Sequence, residues 1–260
     1  MHATISKALK TTLLASAAAL TVAGAAQAAS LEEIQESGSI RIAVANEIPY
    51  GYIDPVSGEA MGAGPDVAKH IVEELGVTDI EWITTDFSSL IPGLQADRFD
   101  MVAAEMAIIP TRCATVIYSE PNTSYGEGLL VASGNPDGLS GYQDFADNSD
   151  LKVAIMAGAN QLDMMQALGV SEDQLVTISS NADAISTVST GRANAYAATG
   201  LTASELAGQS DAVEVAEGFS DPVIDGTEQR SWGGFVFAQG NEGLRELLSD
   251  ADYFKVMEVL

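Results

Sequence analysis

FSSLIPGLQADRFDMVAAEMAIIPTRCATVIYSEP, residues 87–121, carries the alternation of elements on which the fold turns. Residues 88–96 read as a short helix, because Pro92 falls early enough in it to be tolerated. The apolar run at 101–104 reads as a strand, and the next turn formers come at 120–128 (EPNTSYGEG).

Working upstream, residues 39–45 (SIRIAVA) predict a strand with Ile40, Ile42 and Val44 on one face. A helix is expected over 65–75: Pro65 suits its first turn, Val67, Ile71 and Leu75 fall at helical spacing, and Gly76 stops it. A strand over 80–83 follows. Downstream the pattern repeats, with strands at 152–156, 175–178 and 193–198 and helices at 160–168 and 181–190. Such alternation argues for α/β layers with mostly parallel sheets. A second turn-rich stretch, DPVIDGTEQR at 221–230, precedes an expected strand at 235–238 that returns to the first block, and an expected helix at 244–260. Two crossings between two blocks make a hinge, and a cleft between lobes is where small ligands tend to sit.

The ends and the composition bound the function. Lys7 and Lys10, the apolar stretch at 13–26 and the Ala26-Gln27-Ala28 triplet predict a cleaved signal peptide over 1–28 and therefore a periplasmic location. The expected division is residues 29–122 for the first lobe, 123–230 for the second with hinge segments at its two ends, and 231–260 for the return. The formal charge is −26, and loss of the leader removes two lysines and no acids. A surface of that sign disfavours nucleic acid and anionic lipid as partners. The single cysteine, Cys113, excludes an internal disulfide framework, and no motif calls for a cofactor or metal.

Three segments name a family. GAGPDVAKHIVEELG (62–76), residues 87–121 and GEGLLV (126–131) resemble the amino-acid-type extracellular solute-binding proteins, family 3, of ABC importers. That resemblance implies the type II periplasmic-binding fold: two α/β lobes joined by two hinge strands, a buried site between them, and an ABC permease as partner. ANEIPYGYID (45–54), FSSLIPGL (87–94) and PTRC (110–113) are most similar to the branch that binds ectoine and hydroxyectoine.

The site residues follow from the resemblance. Arg112 is expected to hold the ligand carboxylate, a task suited to a planar fork with two parallel donors. Glu47 is the expected acidic partner of a delocalised cation, with Tyr50 and Phe87 as aromatic walls. Thr199 stands where binders of ordinary α-amino acids usually carry an aspartate for the α-ammonium, which argues against that ligand class. Ala107 replaces an aromatic or hydroxyl residue, and Glu105 is a candidate to face the cleft in compensation. Asn160, in AGANQ (157–161), is expected near the ligand and as a helix cap. Trp232 is a further aromatic candidate. The expected protein is a monomeric, non-enzymatic carrier of a small zwitterion. The alternatives are a polar amino-acid carrier and, from a different class, a periplasmic lyase of the same fold, for which no constellation of nucleophile, base and orienter is present.

Overall fold

The computed structural model describes residues 29–249. The expected signal peptide and residues 250–260 of the expected final helix lie outside the described residues. Within them no helix is long and apolar enough to cross a membrane.

The chain opens with α1 (Leu31–Ser37), held at its start by a reciprocal cap between Ser30 and Glu33 and stopped by Gly38 at φ 67°. β1 (Ser39–Val44) then buries Ile40, Ile42 and Val44 as the alternation predicts. A small hairpin, β2 (Tyr52–Ile53) and β3 (Ala60–Met61), leads to α2 (Ala63–Glu74). That helix starts two residues before the expected position, because Gly62 at φ 113° turns the chain directly into it and leaves Pro65 within the first turn. β4 (Asp79–Thr84) pairs in parallel with β1. The single helix expected at 88–96 is a 3₁₀ turn, Phe87–Ser89, running into α3 (Leu90–Gln95). β5 (Met101–Ala107) extends three residues beyond the expected strand; α4 (Pro110–Cys113), β6 (Val116–Tyr118) and β7 (Thr123–Tyr125) follow.

β8 (Glu127–Ala132) carries the chain into a second sheet, followed by α5 (Gln143–Asp147), β9 (Val153–Met156), α6 (Gln161–Ala167) and β10 (Leu175–Ile178). Next come α7 (Ala182–Ser189), β11 (Ala195–Thr199), α8 (Gly200–Ala207) and β12 (Val213–Val215). The turn-rich stretch at 221–230 folds as a two-residue-loop hairpin, β13 (Val223–Ile224) and β14 (Thr227–Glu228), with Asp225 at φ 51° and Gly226 at φ 78° in its turn. β15 (Ser231–Ala238) returns to the first sheet, and α9 (Glu242–Ser249) ends the described chain.

The first sheet runs β4-β1-β5-β15-β6 with β7 also on β15, the second β10-β9-β11-β8-β12. Mostly parallel sheets were expected, but each is half parallel and half antiparallel. β4, β1 and β5 are parallel, as are β10, β9 and β11, whereas the strands that exchange between lobes enter antiparallel: β15 against β5, β8 against β11. The physical reason is the return path: a strand coming back from the other lobe arrives from the cleft end of the sheet. The same pairing explains the longer β5, whose Met106 and Ala107 register with Gly234 and Gly233 of the returning strand. It also corrects the reading of 120–128 as plain turn, since β7 pairs with β15 there.

Each lobe has its own apolar core, around Ile40, Ile71 and Phe235 in the first and Tyr142, Phe145 and Val153 in the second. A third cluster runs from Leu94 and Phe99 through Phe87 to Met156 and Tyr196, so the two lobes meet in apolar contact. This is the fold of type II periplasmic-binding proteins, with its lobes shut on one another.

Candidate functional site

The side chains between the lobes hang from the C-terminal ends of the parallel strands, where open α/β sheets place their ligands. Glu47 and Tyr50 come from the tight loop after β1, in which the Tyr50 amide donates to the Glu47 carbonyl at 2.8 Å. Phe87 follows β4, Glu105 and Ala107 end β5, and Arg112 lies in α4. From the other lobe, Asn160 follows β9 and Thr199 ends β11.

A chain of hydroxyls stitches the lobes together. Tyr50 Oη donates to Thr199 Oγ1 at 2.9 Å, Thr199 Oγ1 to Thr202 Oγ1 at 3.1 Å, and Thr202 Oγ1 to Glu47 Oε1 at 3.4 Å. The path begins and ends on the first lobe and passes through the second. Thr199 also caps α8 by accepting from the Thr202 amide at 3.2 Å. Thr199 thus serves as both cap and clasp.

Behind this clasp lies an inner cavity of about 30 Å³, lined by Glu47, Tyr50, Phe87, Glu105, Ala107 and Tyr125 of the first lobe and by Met156, Asn160, Gln161, Tyr196 and Thr199 of the second. A wider groove of about 280 Å³ lies beside it between Phe87, Ile91, Met106 and Ile109 on one side and Gly158, Leu162 and Asp163 on the other. Arg112 lines the groove and stands at the partition, because Phe87, Ala159 and Asn160 border both spaces. Its Nη1 donates to the Ala107 carbonyl at 2.9 Å and its Nη2 to the Gly158 carbonyl at 2.8 Å, while the guanidinium carbon lies 5.5 Å from the Phe87 ring centre. The side chain is therefore buried and aromatic-backed, and two of its five N–H groups reach carbonyls, one on each lobe.

Three buried glutamates set the electrostatics. Burial pushes the carboxyl of Glu47 up to about 7 against the hydrogen bonds that favour its charge, from Asn181 and Thr202, and against the attraction of Arg112. Glu105 is likewise raised by burial to about 7, opposed by Thr123 and Asn122. Glu127, at the start of β8, is raised by burial to about 7, opposed chiefly by Gln161 and Tyr142. A carboxyl so placed is poised to gain a cation, since desolvation disfavours the unpaired charge.

Six of the eight residues singled out in the sequence, Glu47, Tyr50, Phe87, Glu105, Asn160 and Thr199, line the inner cavity, and Arg112 borders it from the groove. Trp232 does neither: it is 54 % exposed on β15. Asn160 occupies the cap position of α6 without making the expected cap bond, and its side-chain amide donates to Ser231 Oγ at 3.2 Å on the returning strand. Sequence reasoning passed over Glu127, whose carboxylate accepts from Gln161 Nε2 at 2.6 Å, Tyr142 Oη at 3.2 Å and Ser231 Oγ at 3.4 Å. That network ties both crossing strands to the start of α6. An acid between two glycines in a turn-rich stretch carries no sign of burial; only the arrival of Tyr142 and Ser231 from afar buries it.

Comparison with known proteins follows the same lines. Residues 40–252 match the family of bacterial extracellular solute-binding proteins, family 3. A probable amino-acid ABC transporter periplasmic-binding protein, y4tE, of Sinorhizobium fredii is 55% identical over 240 residues, spanning 90% of this chain and 79% of that one. The crystal structure of EhuB in complex with hydroxyectoine superposes with a TM-score of 0.78 at 32% identity, covering 88% of this chain and 86% of the other. An ancestral amino-acid-binding protein, AncCDT-1, described as a precursor of cyclohexadienyl dehydratase, gives a TM-score of 0.73 at 27% identity over 87% of this chain and 92% of its own. With two half-parallel sheets, two crossings of the chain between them and a buried cavity where the lobes meet, the chain belongs to the bacterial extracellular solute-binding proteins, family 3.

Proposed function

We propose that the protein is the periplasmic binding component of an ABC importer and that its ligand is a compact zwitterion with a delocalised cation, of the ectoine and hydroxyectoine type. In this reading Arg112 holds the ligand carboxylate, Glu47 pairs with the cationic ring, and Tyr50 and Phe87 pack against the ring faces. Each aromatic contact with a diffuse cation contributes on the order of 0.5 to 2 kcal/mol. The observation that carries the reading is the pairing within one cleft of a buried carboxylate, Glu47, with a buried guanidinium, Arg112, backed by an aromatic ring. The structural relative that holds hydroxyectoine supports the same class.

A polar amino acid fits less well. The second-lobe residues bordering the inner cavity, Met156, Ala159, Asn160, Gln161, Tyr196, Ala198 and Thr199, include no carboxylate to receive an α-ammonium. Glu127 lies behind Gln161 and is spent on it.

Transport then works by differential affinity. The shut cavity has room for about one water, so ligand entry requires the lobes to part about the two crossings near residues 125–127 and 231. Parting breaks the bond of Tyr50 to Thr199 and that of Arg112 to the Gly158 carbonyl. A ligand that bridges the same groups favours closure, and closure is the state a permease reads. The carrier acts as a monomer in this reading and carries out no chemistry on its cargo.

A thermal-shift screen of the purified protein against compatible solutes and amino acids tests the proposal. A ligand at 100 times its dissociation constant adds about 2.7 kcal/mol. Stabilisation by ectoine or hydroxyectoine is expected; stabilisation by arginine or glutamine with none by ectoine would reverse the assignment.

A further inference from the structure

Glu105 and Ala107 build one end of the inner cavity in a way that the binding of a simple zwitterion does not require. Ala104 and Glu105 are neighbours in β5, yet both line the cavity. Plain strand alternation sends neighbours to opposite faces. Glu105 escapes it by adopting φ 51°, a conformation that non-glycine residues avoid. The register between β5 and β15 is interrupted close by, between Gly234 and Val236. Gly233 makes the close packing possible: a Cβ there would stand 2.7 Å from the Glu105 carbonyl oxygen. Strained backbone of this kind concentrates at functional sites.

The carboxylate that this twist delivers is 98% buried by residue exposure of 2%. It accepts from Asn122 Nδ2 at 3.0 Å and from Thr123 Oγ1 at 2.8 Å, both neutral donors. No basic side chain pairs with it among the described residues. A carboxylate offers about four lone-pair positions, so positions remain open. The surroundings are also short of donors: Oδ1 of Asn122 is itself buried without a hydrogen-bond partner. Near Glu105, the small Ala107 side chain also lines the cavity, packed with Tyr50 and Tyr125.

We propose that Glu105 and Ala107 form a subsite that reads a second hydrogen-bond donor on the ligand, in addition to the cation facing Glu47. The subsite deepens the zwitterion reading and rests on it for the orientation of the ligand. Its specificity is for compact zwitterions bearing an extra hydroxyl or ammonium group. A donor placed there satisfies a buried carboxylate, whereas a ligand lacking it leaves that carboxylate with neutral neighbours alone.

Calorimetric titration with two ligand pairs tests this: ectoine with hydroxyectoine, and 2-aminobutyrate with 2,4-diaminobutyrate. Each pair differs by one donor, hydroxyl in the first and ammonium in the second. The wild type is expected to favour the donor-bearing member of at least one pair by about tenfold or more. Glu105→Gln is expected to remove most of that preference, so that the two members of the pair bind within about threefold of each other. Should that variant not fold, Ala107→Leu fills the same space, and loss of the preference is again expected. Absence of preference in both pairs, or a preference that survives the substitution, overturns the subsite. Ectoine binding with no dependence on Glu105 sinks the subsite and keeps the zwitterion reading. A Glu105-dependent preference confined to the amino-acid pair does the reverse.

Discussion

The two walls of the cleft are chemically unlike. The first-lobe wall carries the charges and the rings: Glu47, Glu105 and Arg112 with Tyr50, Phe87 and Tyr125. Around the inner cavity the second-lobe wall offers neutral groups, chiefly the hydroxyls of Thr199 and Thr202, the Asn160 amide and the Gly158 carbonyl, and its one acid, Asp163, stands out in the wider groove. Charged groups give large, orientation-dependent interactions once desolvated, and neutral ones give smaller increments. In the proposed reading the first wall therefore selects the ligand, and the second reports its presence by closing.

Substitutions on the two walls should then differ in kind. Arg112→Ala is expected to have the largest effect, weakening ligand binding by at least about 2 kcal/mol, or roughly thirtyfold, in calorimetric titration. A comparable loss from Thr199→Ala would erase the distinction between the walls. Glu47→Gln follows, with a loss of about tenfold or more as a charge-assisted contact becomes a neutral one. The pH dependence sharpens this case. Burial pushes the Glu47 carboxyl up to about 7, and the cation of the proposed ligand needs the ionised form. Wild-type affinity should therefore fall as pH drops below about 7, and Glu47→Gln should flatten that slope.

Smaller effects are expected from the clasp. Tyr50→Phe removes the bond to Thr199 and should cost about 0.5 to 1.5 kcal/mol of binding, whereas Thr199→Val removes that bond together with the α8 cap and the contact to Thr202. The double variant should bind little worse than Thr199→Val alone, because the Tyr50 bond is already lost in it. Smaller again is an effect on the unliganded fold. Glu47, Glu105 and Glu127 all have carboxyls raised by burial from 4.5 to about 7 in the folded protein. Folding takes up protons between those values, so stability is greatest at the acid end of the window and declines as pH rises to about 7. Glu127→Gln should make that decline shallower in thermal melts recorded across the range. Trp232→Ala, at an exposed position on β15, should leave both affinity and stability within about 0.5 kcal/mol.

Much of the scaffold was legible in the sequence, because apolar periodicity is local. Strand 175–178 and the buried face of Ile40, Ile42 and Val44 follow directly from it. The antiparallel halves of the sheets were not, since they depend on the path by which 231–238 returns across some hundred residues. In the cleft, Glu47, Tyr50 and Arg112 were found through motif resemblance. Glu127 was missed because its burial is created by Tyr142, Gln161 and Ser231, none of which is near it in sequence. Trp232, named as a further aromatic candidate, lies outside the cavity because strand alternation turns it outward on β15.

A crystal structure of the protein grown with hydroxyectoine tests the division between the walls most directly. The expected result places the ligand carboxylate within hydrogen-bond distance of Arg112, the ring between Tyr50 and Phe87 with its N–H groups on Glu47, and only neutral contacts from the second lobe. A ligand lodged outside the cleft, or an Arg112 side chain turned to solvent in its presence, would contradict it.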